Sequence, residues 1–158
     1  LGREPHADPF SQVTPEDRTA ILSAMEATST DTLAARIVTT LSGGERARVA
    51  LARALATQAS VLIADEPIAS LDERHQLIVM ELLRDIAHRG AAVLAIIHDL
   101  TLAARFADRV ILMNEGRIIA NDAPVAALTP ERIAQIFNIS VHRIETPDGP
   151  LLIPSRAL

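Results

Sequence analysis

Residues 61–67 read Val-Leu-Ile-Ala-Asp-Glu-Pro, an apolar run that is followed by two acids and a proline. An uninterrupted apolar run of this length is typical of a strand buried on both faces of a parallel sheet. Residues 91–97 form a second such run, which His98 and Asp99 follow. We expect strands over residues 60–64 and 91–97 and a helix over 73–88 between them. Together they form a βαβ unit.

Composition agrees with a sheet that is covered by helices. Hydrophobic residues make up 49% of the 158 residues, yet only three residues are aromatic, all of them Phe. The core must therefore consist of Leu, Ile, Val and Ala, and the chain is long enough for one sizeable core. The predicted fold class is α/β.

Charge and composition argue against several kinds of site. The net charge is −5, and the 15 basic residues, all arginines, are scattered, which argues against nucleic-acid binding. The chain has no cysteine, so it has neither disulfides nor thiolate metal sites. No apolar run approaches the roughly 20 residues that span a bilayer. No signal-peptide pattern opens the chain, and we expect a cytoplasmic protein that reaches a membrane through a partner.

Three polar residues are expected where the two predicted strands end. If the strands are parallel, Asp65, Glu66 and His98 lie along the edge at which open α/β sheets bind ligands. Two carboxylates and a histidine there suit a metal-assisted phosphoryl transfer or hydrolysis. The alternative is that the acids only cap the helix that follows, and the residues alone leave both interpretations open.

Ser42-Gly43-Gly44 stands before a predicted helix over residues 44–57. The amino end of a helix offers unpaired N–H groups and a positive dipole end, and glycines let an anion approach the backbone. By itself such a triplet is usually an ordinary helix cap.

In order and spacing these segments resemble the ATP-binding subunits of ABC transporters. Leu41-Ser42-Gly43-Gly44-Glu45 resembles the signature motif of that family, and residues 62–66 resemble its Walker B strand. Residues 70–72 resemble the D-loop, and His98 resembles the switch histidine. The resemblance implies a P-loop NTPase (ABC ATPase) fold.

The resemblance also implies roles for the strand-end residues. Asp65 would hold the Mg²⁺ of the nucleotide through water, Glu66 would be the general base that polarises the attacking water, and His98 would contact the γ-phosphate. The cofactors implied are ATP and Mg²⁺.

The other implied roles concern a head-to-tail homodimer that closes around two ATP molecules. The signature residues would contact an ATP bound mainly to the second ATPase subunit, and Asp72 would link the two sites. The ATP-binding residues implied are Ser42, Gly43, Gly44, Glu45 and Asp72.

The front half of such a subunit has no counterpart here. No lysine is present to serve a phosphate loop, and Gln12, the only glutamine before Leu41, does not follow a strand and is not assigned as the switch glutamine. We therefore expect an incomplete fold that is catalytically inactive alone. The predicted segments are the end of the helical subdomain (1–41), the rear half of the ATPase core (42–128) and a terminal helix and hairpin (129–158).

Residues 2–6, 71–76 and 98–109 resemble segments of subunits that import iron chelates, haem and cobalamin. We expect the ATPase of a ferric-siderophore importer or, alternatively, of a haem or cobalamin importer. It would lie peripherally on the cytoplasmic face of the bacterial inner membrane. Its expected partners are membrane permease subunits and, indirectly, a periplasmic binding protein, with no nucleic acid. The rival interpretations are an ABC ATPase of DNA repair or translation, and a non-enzymatic truncated or split product.

Overall fold

The computed structural model describes Arg3 and residues 13–158. The chain divides into two compact units, Leu1–Ile96 and Ile97–Leu158. This division differs from the three predicted segments, whose boundaries remain a prediction. Gln12 and most of the segment 2–6 lie outside the described residues.

The described residues of the first unit form three α-helices, whose starts follow from their capping residues. Thr14 accepts a hydrogen bond from the backbone N–H of Asp17 and is followed by Pro15, a combination that favours a helix start. Two short 3₁₀ turns, Asp31–Leu33 and Val38–Thr40, separate the first two helices. The helices are α1 (Pro15–Ala27), α2 (Gly43–Leu55) and α3 (Glu73–His88).

Two parallel strands complete this unit, as the apolar runs predict. β1 (Val61–Asp65) pairs with β2 (Ala92–Ile96) in a register that sets Asp65 beside Ile96. Both faces of the sheet would be buried in a complete fold, whereas the incomplete fold expected for this chain leaves one face uncovered. Alternate residues are exposed on one side of the sheet, and α3 packs against β2. The exposed fractions on that face are 57% for Val61, 69% for Ile63, 51% for Leu94 and 49% for Ile96.

The second unit consists of short helices and two antiparallel hairpins around one apolar cluster. Leu128 and Ile133 are almost completely buried in this cluster. Thr101 ties the first helix to the last strand, because its hydroxyl accepts from the N–H of Leu152 at 2.9 Å. The elements are α4 (Leu100–Phe106), β3 (Val110–Asn114), β4 (Arg117–Asp122), α5 (Pro124–Ala127), α6 (Pro130–Phe137), β5 (Ile139–Thr146) and β6 (Gly149–Ala157).

Candidate functional site

The carboxyl end of β1 presents two exposed acids. Asp65 is the last residue of the strand, and Glu66 follows it with a φ of +47°. That left-handed conformation is uncommon for a residue with a Cβ, and such residues cluster at functional sites. The N–H of Ala69 donates to the Glu66 carbonyl at 3.2 Å and closes a tight turn. The chain therefore turns sharply at the end of β1, and both carboxylates lie at this turn.

Neither of these acids caps the helix that follows, so the simple capping alternative does not explain them. The cap of α3 is Asp72, whose carboxylate accepts from the N–H of His75 at 3.0 Å. At the second strand end the cap of α4 is Asp99, which accepts from the N–H of Leu102 at 2.8 Å. Capping thus accounts for Asp72 and Asp99 and not for Asp65 and Glu66.

His98 follows two residues after the end of β2 and belongs to the second unit. The parallel pairing of β1 and β2 confirms that both strands end at the same edge. The expected convergence of His98 with Asp65 and Glu66 at that edge remains a prediction.

The start of α2 is a complete capping box. The Ser42 hydroxyl accepts from the N–H of Glu45 at 3.2 Å, and Glu45 Oε2 accepts from the N–H of Ser42 at 2.7 Å. The reciprocal bonds hold the first turn in place and hold the Ser42 side chain at the helix entrance. The helix begins at Gly43, one residue before the predicted start.

The two glycines of this turn meet different surroundings. A Cβ at Gly43 would have no atom within 4 Å, so the backbone there is open to an approaching group. A Cβ at Gly44 would lie 3.3 Å from the carbonyl oxygen of Ser70 and 3.5 Å from Leu71 Cδ2. Only Gly43 therefore has the open backbone that the sequence suggested for both; Gly44 instead lets the loop of its own chain pack closely.

Glu45 is charged at neutral pH. The N–H of Ser42 lowers the pKa of this carboxyl most, and the Ser42 hydroxyl and the Arg36 guanidinium lower it further against the opposing effect of burial. Arg36 Nη1 donates to Glu45 Oε1 at 2.8 Å. The signature motif thus includes an anionic side chain that a cation partly neutralises.

Asp72 is engaged within its own chain. The Nδ1 atom of His75 lies 2.8 Å from each carboxylate oxygen, in addition to the backbone contact that caps α3. The backbone N–H of His75 lowers the pKa of Asp72 most, then the His75 ring, and the charge of Arg48 lowers it further. His75 therefore orients this carboxylate, a role that the sequence gave no reason to expect.

The described residues offer no cluster of three or more metal-binding side chains. Asp65 and Glu66 both stand at the strand end, and Asp65 is the predicted ligand. A single carboxylate fits the way in which Mg²⁺ binds beside a nucleotide, because water and phosphate oxygens supply most of its ligands.

A sequence model described as "ABC transporter" matches residues 3–69. Its match contains the signature motif and the β1 strand end, the two features whose geometry is given above. The chain belongs to the ABC transporter family. This result and the related structures confirm the predicted ABC ATP-binding subunit and its P-loop NTPase fold.

Curated relatives of this ABC chain include import proteins. The hemin import ATP-binding protein HmuV of Myxococcus xanthus is 44% identical over 98% of the chain, which covers 60% of that protein. The cobalamin import ATP-binding protein BtuD of Halobacterium salinarum is 47% identical over 89% of the chain, which covers 35% of that protein. The ABC chain spans little more than half the length of the curated HmuV relatives it matches.

Solved structures agree on the fold. An ABC transporter assigned to the metal-chelate type, in an inward-facing conformation, superposes with a TM-score of 0.83 at 26% identity, over 98% of this chain and 63% of the other. The dimeric ABC cassette MJ0796 superposes with a TM-score of 0.65 at 29% identity, over 72% of this chain and 50% of the other. Among the helices that the structure describes, none has the length and apolar character needed to cross a membrane.

Proposed function

We propose that this chain is part of the ATPase subunit of an ABC importer for a metal chelate. Haem is the first candidate substrate, cobalamin the second, and a ferric siderophore belongs to the same chemical class. The observation that supports the proposal most is the identity of 44% to a hemin import ATP-binding protein along 98% of the chain. The importer-like segments 71–76 and 98–109 agree with it.

The residues at the end of β1 are proposed to act on the water that attacks ATP. Glu66 would accept a proton from that water, Asp65 would hold Mg²⁺ through water, and His98 would contact the γ-phosphate. The exposed strand-end position of the two acids and the left-handed backbone of Glu66 support this assignment. Phosphoryl transfer to water depends on an oriented water molecule and on neutralisation of the phosphate charge. The proposed roles of these residues meet both requirements.

The start of α2 is proposed to contact an ATP that is bound mainly to a second ATPase subunit. Ser42, Gly43 and Gly44 would face its γ-phosphate, with Glu45 fixing the turn, and Asp72 would link the two sites of the dimer. Gly43 is the position at which the backbone is open. The subunit would bind membrane permease subunits on the cytoplasmic face of the inner membrane, and a periplasmic binding protein would deliver the substrate to those permeases.

The test of the catalytic assignment is Glu66→Gln in the longer subunit that contains this chain. The amide has nearly the shape of the carboxylate but cannot accept the proton, so we expect hydrolysis to fall about 10²–10⁴-fold while Mg-ATP still binds. Glu81→Gln, an exposed acid in the middle of α3, is the matched control and should hydrolyse ATP as the wild type does. Loss of Mg-ATP binding in Glu66→Gln would instead assign Glu66 to the metal.

The substrate is tested separately from the hydrolysis. Cells that lack the subunit are supplied with haem, cobalamin or a ferric siderophore as the growth-limiting nutrient. Restored uptake of haem on re-expression of the wild type, and not of Glu66→Gln, supports the first candidate. Restored uptake of another chelate alone would replace haem by that chelate.

A further inference from the structure

The segment that leads into the signature motif has little apolar packing of its own. Its two 3₁₀ turns contain no buried residue. Ile37, just before the second turn, and Val38, its first residue, are 70% and 55% exposed. A segment without buried side chains depends on polar contacts for a defined conformation. Backbone hydrogen bonds close its turns, and the Arg36 side chain links it to Glu45.

The Arg36 guanidinium joins the lead-in segment to the first turn of α2. Nη1 donates to Glu45 Oε1 at 2.8 Å, and Nη2 donates to the Thr40 carbonyl at 2.9 Å. The backbone N–H of Arg36 donates to the Leu33 carbonyl at 2.9 Å. Because a guanidinium is planar and carries several donors, it can hold both acceptors at once in a fixed geometry.

Glu45 connects Arg36 to Ser42 through its two carboxylate oxygens. One carboxylate oxygen of Glu45 faces Arg36, and the other accepts from the N–H of Ser42 at 2.7 Å. The Ser42 hydroxyl already accepts from the N–H of Glu45. The Ser42 hydroxyl also lowers the pKa of the Glu45 carboxyl, so the side chains of the two residues are held together at the helix entrance.

Arg36 also has an electrostatic role at this position. Glu45 is anionic, and a carboxylate in the first turn of a helix that receives a phosphate opposes that phosphate by like charge. The guanidinium at 2.8 Å offsets this repulsion. The side chain of Glu45 is only 23% exposed, so solvent screens the pair less than it would screen a fully exposed one.

We propose that Arg36 is a positioning residue for ATP at the signature motif. It fixes Glu45, which in turn fixes the Ser42 hydroxyl and the open backbone at Gly43 toward the γ-phosphate, and it neutralises the one acid in that turn. The inference rests on the proposed ATP contact of this motif and adds to it a residue that lies outside the motif.

The test compares Arg36→Gln and Arg36→Lys with the wild type in the longer subunit that contains this chain. We expect Arg36→Gln to raise the KM for ATP about tenfold, the effect of one lost charge-assisted hydrogen bond, with kcat within about twofold of the wild type. Arg36→Lys keeps the positive charge but loses the two guanidinium donors that bind Glu45 and Thr40 together. Its KM should lie between that of the wild type and that of Arg36→Gln. A purely structural defect would instead lower kcat through a smaller active fraction and leave KM unchanged.

Arg53→Gln is the matched control, since it removes an exposed arginine from the last turn of α2, far from the signature turn in the sequence. Its KM should equal that of the wild type. If Arg36→Gln does not fold, Arg36→Lys decides the question. A wild-type KM in either soluble Arg36 variant overturns the inference and leaves the proposed function standing. A wild-type subunit that does not hydrolyse ATP overturns both.

Discussion

At the residue scale, Asp17 is a buried carboxylate whose partner is far away in the sequence. Arg3 Nε donates to Asp17 Oδ1 at 2.7 Å, and Arg3 Nη1 donates to the Ala56 carbonyl at 3.1 Å. The Arg3 hydrogen bond lowers the pKa of Asp17 most, and the N–H of Thr14 lowers it further. One arginine therefore ties the first turn of α1 to the end of α2.

This pair makes stability dependent on pH. The pKa of Asp17 is lower in the folded state than in the unfolded state, where it is about 3.9. Its stabilising contribution is therefore complete above the unfolded value and is lost as the pH falls through the folded value. We expect Asp17→Asn to lower the melting temperature at neutral pH, with a difference from the wild type that shrinks as the solution is acidified.

Thermal unfolding of the longer subunit that contains this chain, measured across this pH range, checks the expectation, with Glu16→Gln, an exposed neighbour in the same helical turn, as the control. A difference between Asp17→Asn and the wild type that stays constant with pH would contradict it.

At the scale of elements, the β3–β4 hairpin has a turn that its sequence fits only in part. Glu115 and Gly116 both have positive φ, +47° and +74°. Two left-handed residues match the twist of the flanking strands, which is why Asn-Gly and Asp-Gly are preferred in such turns. Gly116 meets this requirement without strain, whereas Glu115 does not.

Glu115→Asn should therefore stabilise the protein, by about 0.5–1 kcal/mol, because Asn tolerates the left-handed region better than Glu. Glu115→Gln removes the same charge but retains an unbranched side chain with no such preference, and it should give no gain. Urea unfolding of the wild type and the two variants, each in the longer subunit that contains this chain, measures the difference. Equal stabilisation by Asn and Gln would attribute the effect to charge instead of backbone strain.

Local signals predicted the helices well. α3 begins and ends at the predicted residues, and α2 begins one residue from its predicted start, because capping residues act within one turn. Within residues 129–158, where a helix and a hairpin are expected, the structure has α6 and the β5–β6 pair. The short helix α5 was not predicted, as four residues carry too little periodicity.

The same distinction between local sequence signals and contacts made on folding applies to the candidate site. The signature turn and the acids at the end of β1 could be found from the sequence, because each lies in a contiguous motif. Arg36 could not be found as a partner of Glu45, because their hydrogen bond depends on how the turns fold back, which no local pattern of residues encodes. His75 lies only three residues after Asp72, at the start of α3, and this local spacing was overlooked.

At the scale of the molecule, the exposed face of the β1–β2 sheet dominates the expected behaviour of the chain in solution. Its members are large apolar side chains on neighbouring strands in register, such as Ile63 beside Leu94. Contiguous apolar surface and open strand edges associate with other chains.

We therefore expect the chain, when expressed alone, to aggregate or be degraded. The double variant Ile63→Thr and Leu94→Thr should increase the soluble fraction, because it removes apolar area without removing strand propensity. Light scattering after size-exclusion chromatography measures the association. Val93→Thr, on the covered face, is the control and should give no such gain. A monodisperse wild-type monomer with a cooperative melt would contradict this expectation and favour a self-sufficient domain.

The close packing at Gly44 has a mechanical consequence. A Cβ at Gly44 would be in tight contact with the Ser70 carbonyl, so the entrance of α2 and the loop before Asp72 pack closely together. Interiors packed this tightly transmit a displacement instead of absorbing it. We therefore expect the two segments to move together: a displacement of one displaces the other without a movement of the rest of the molecule.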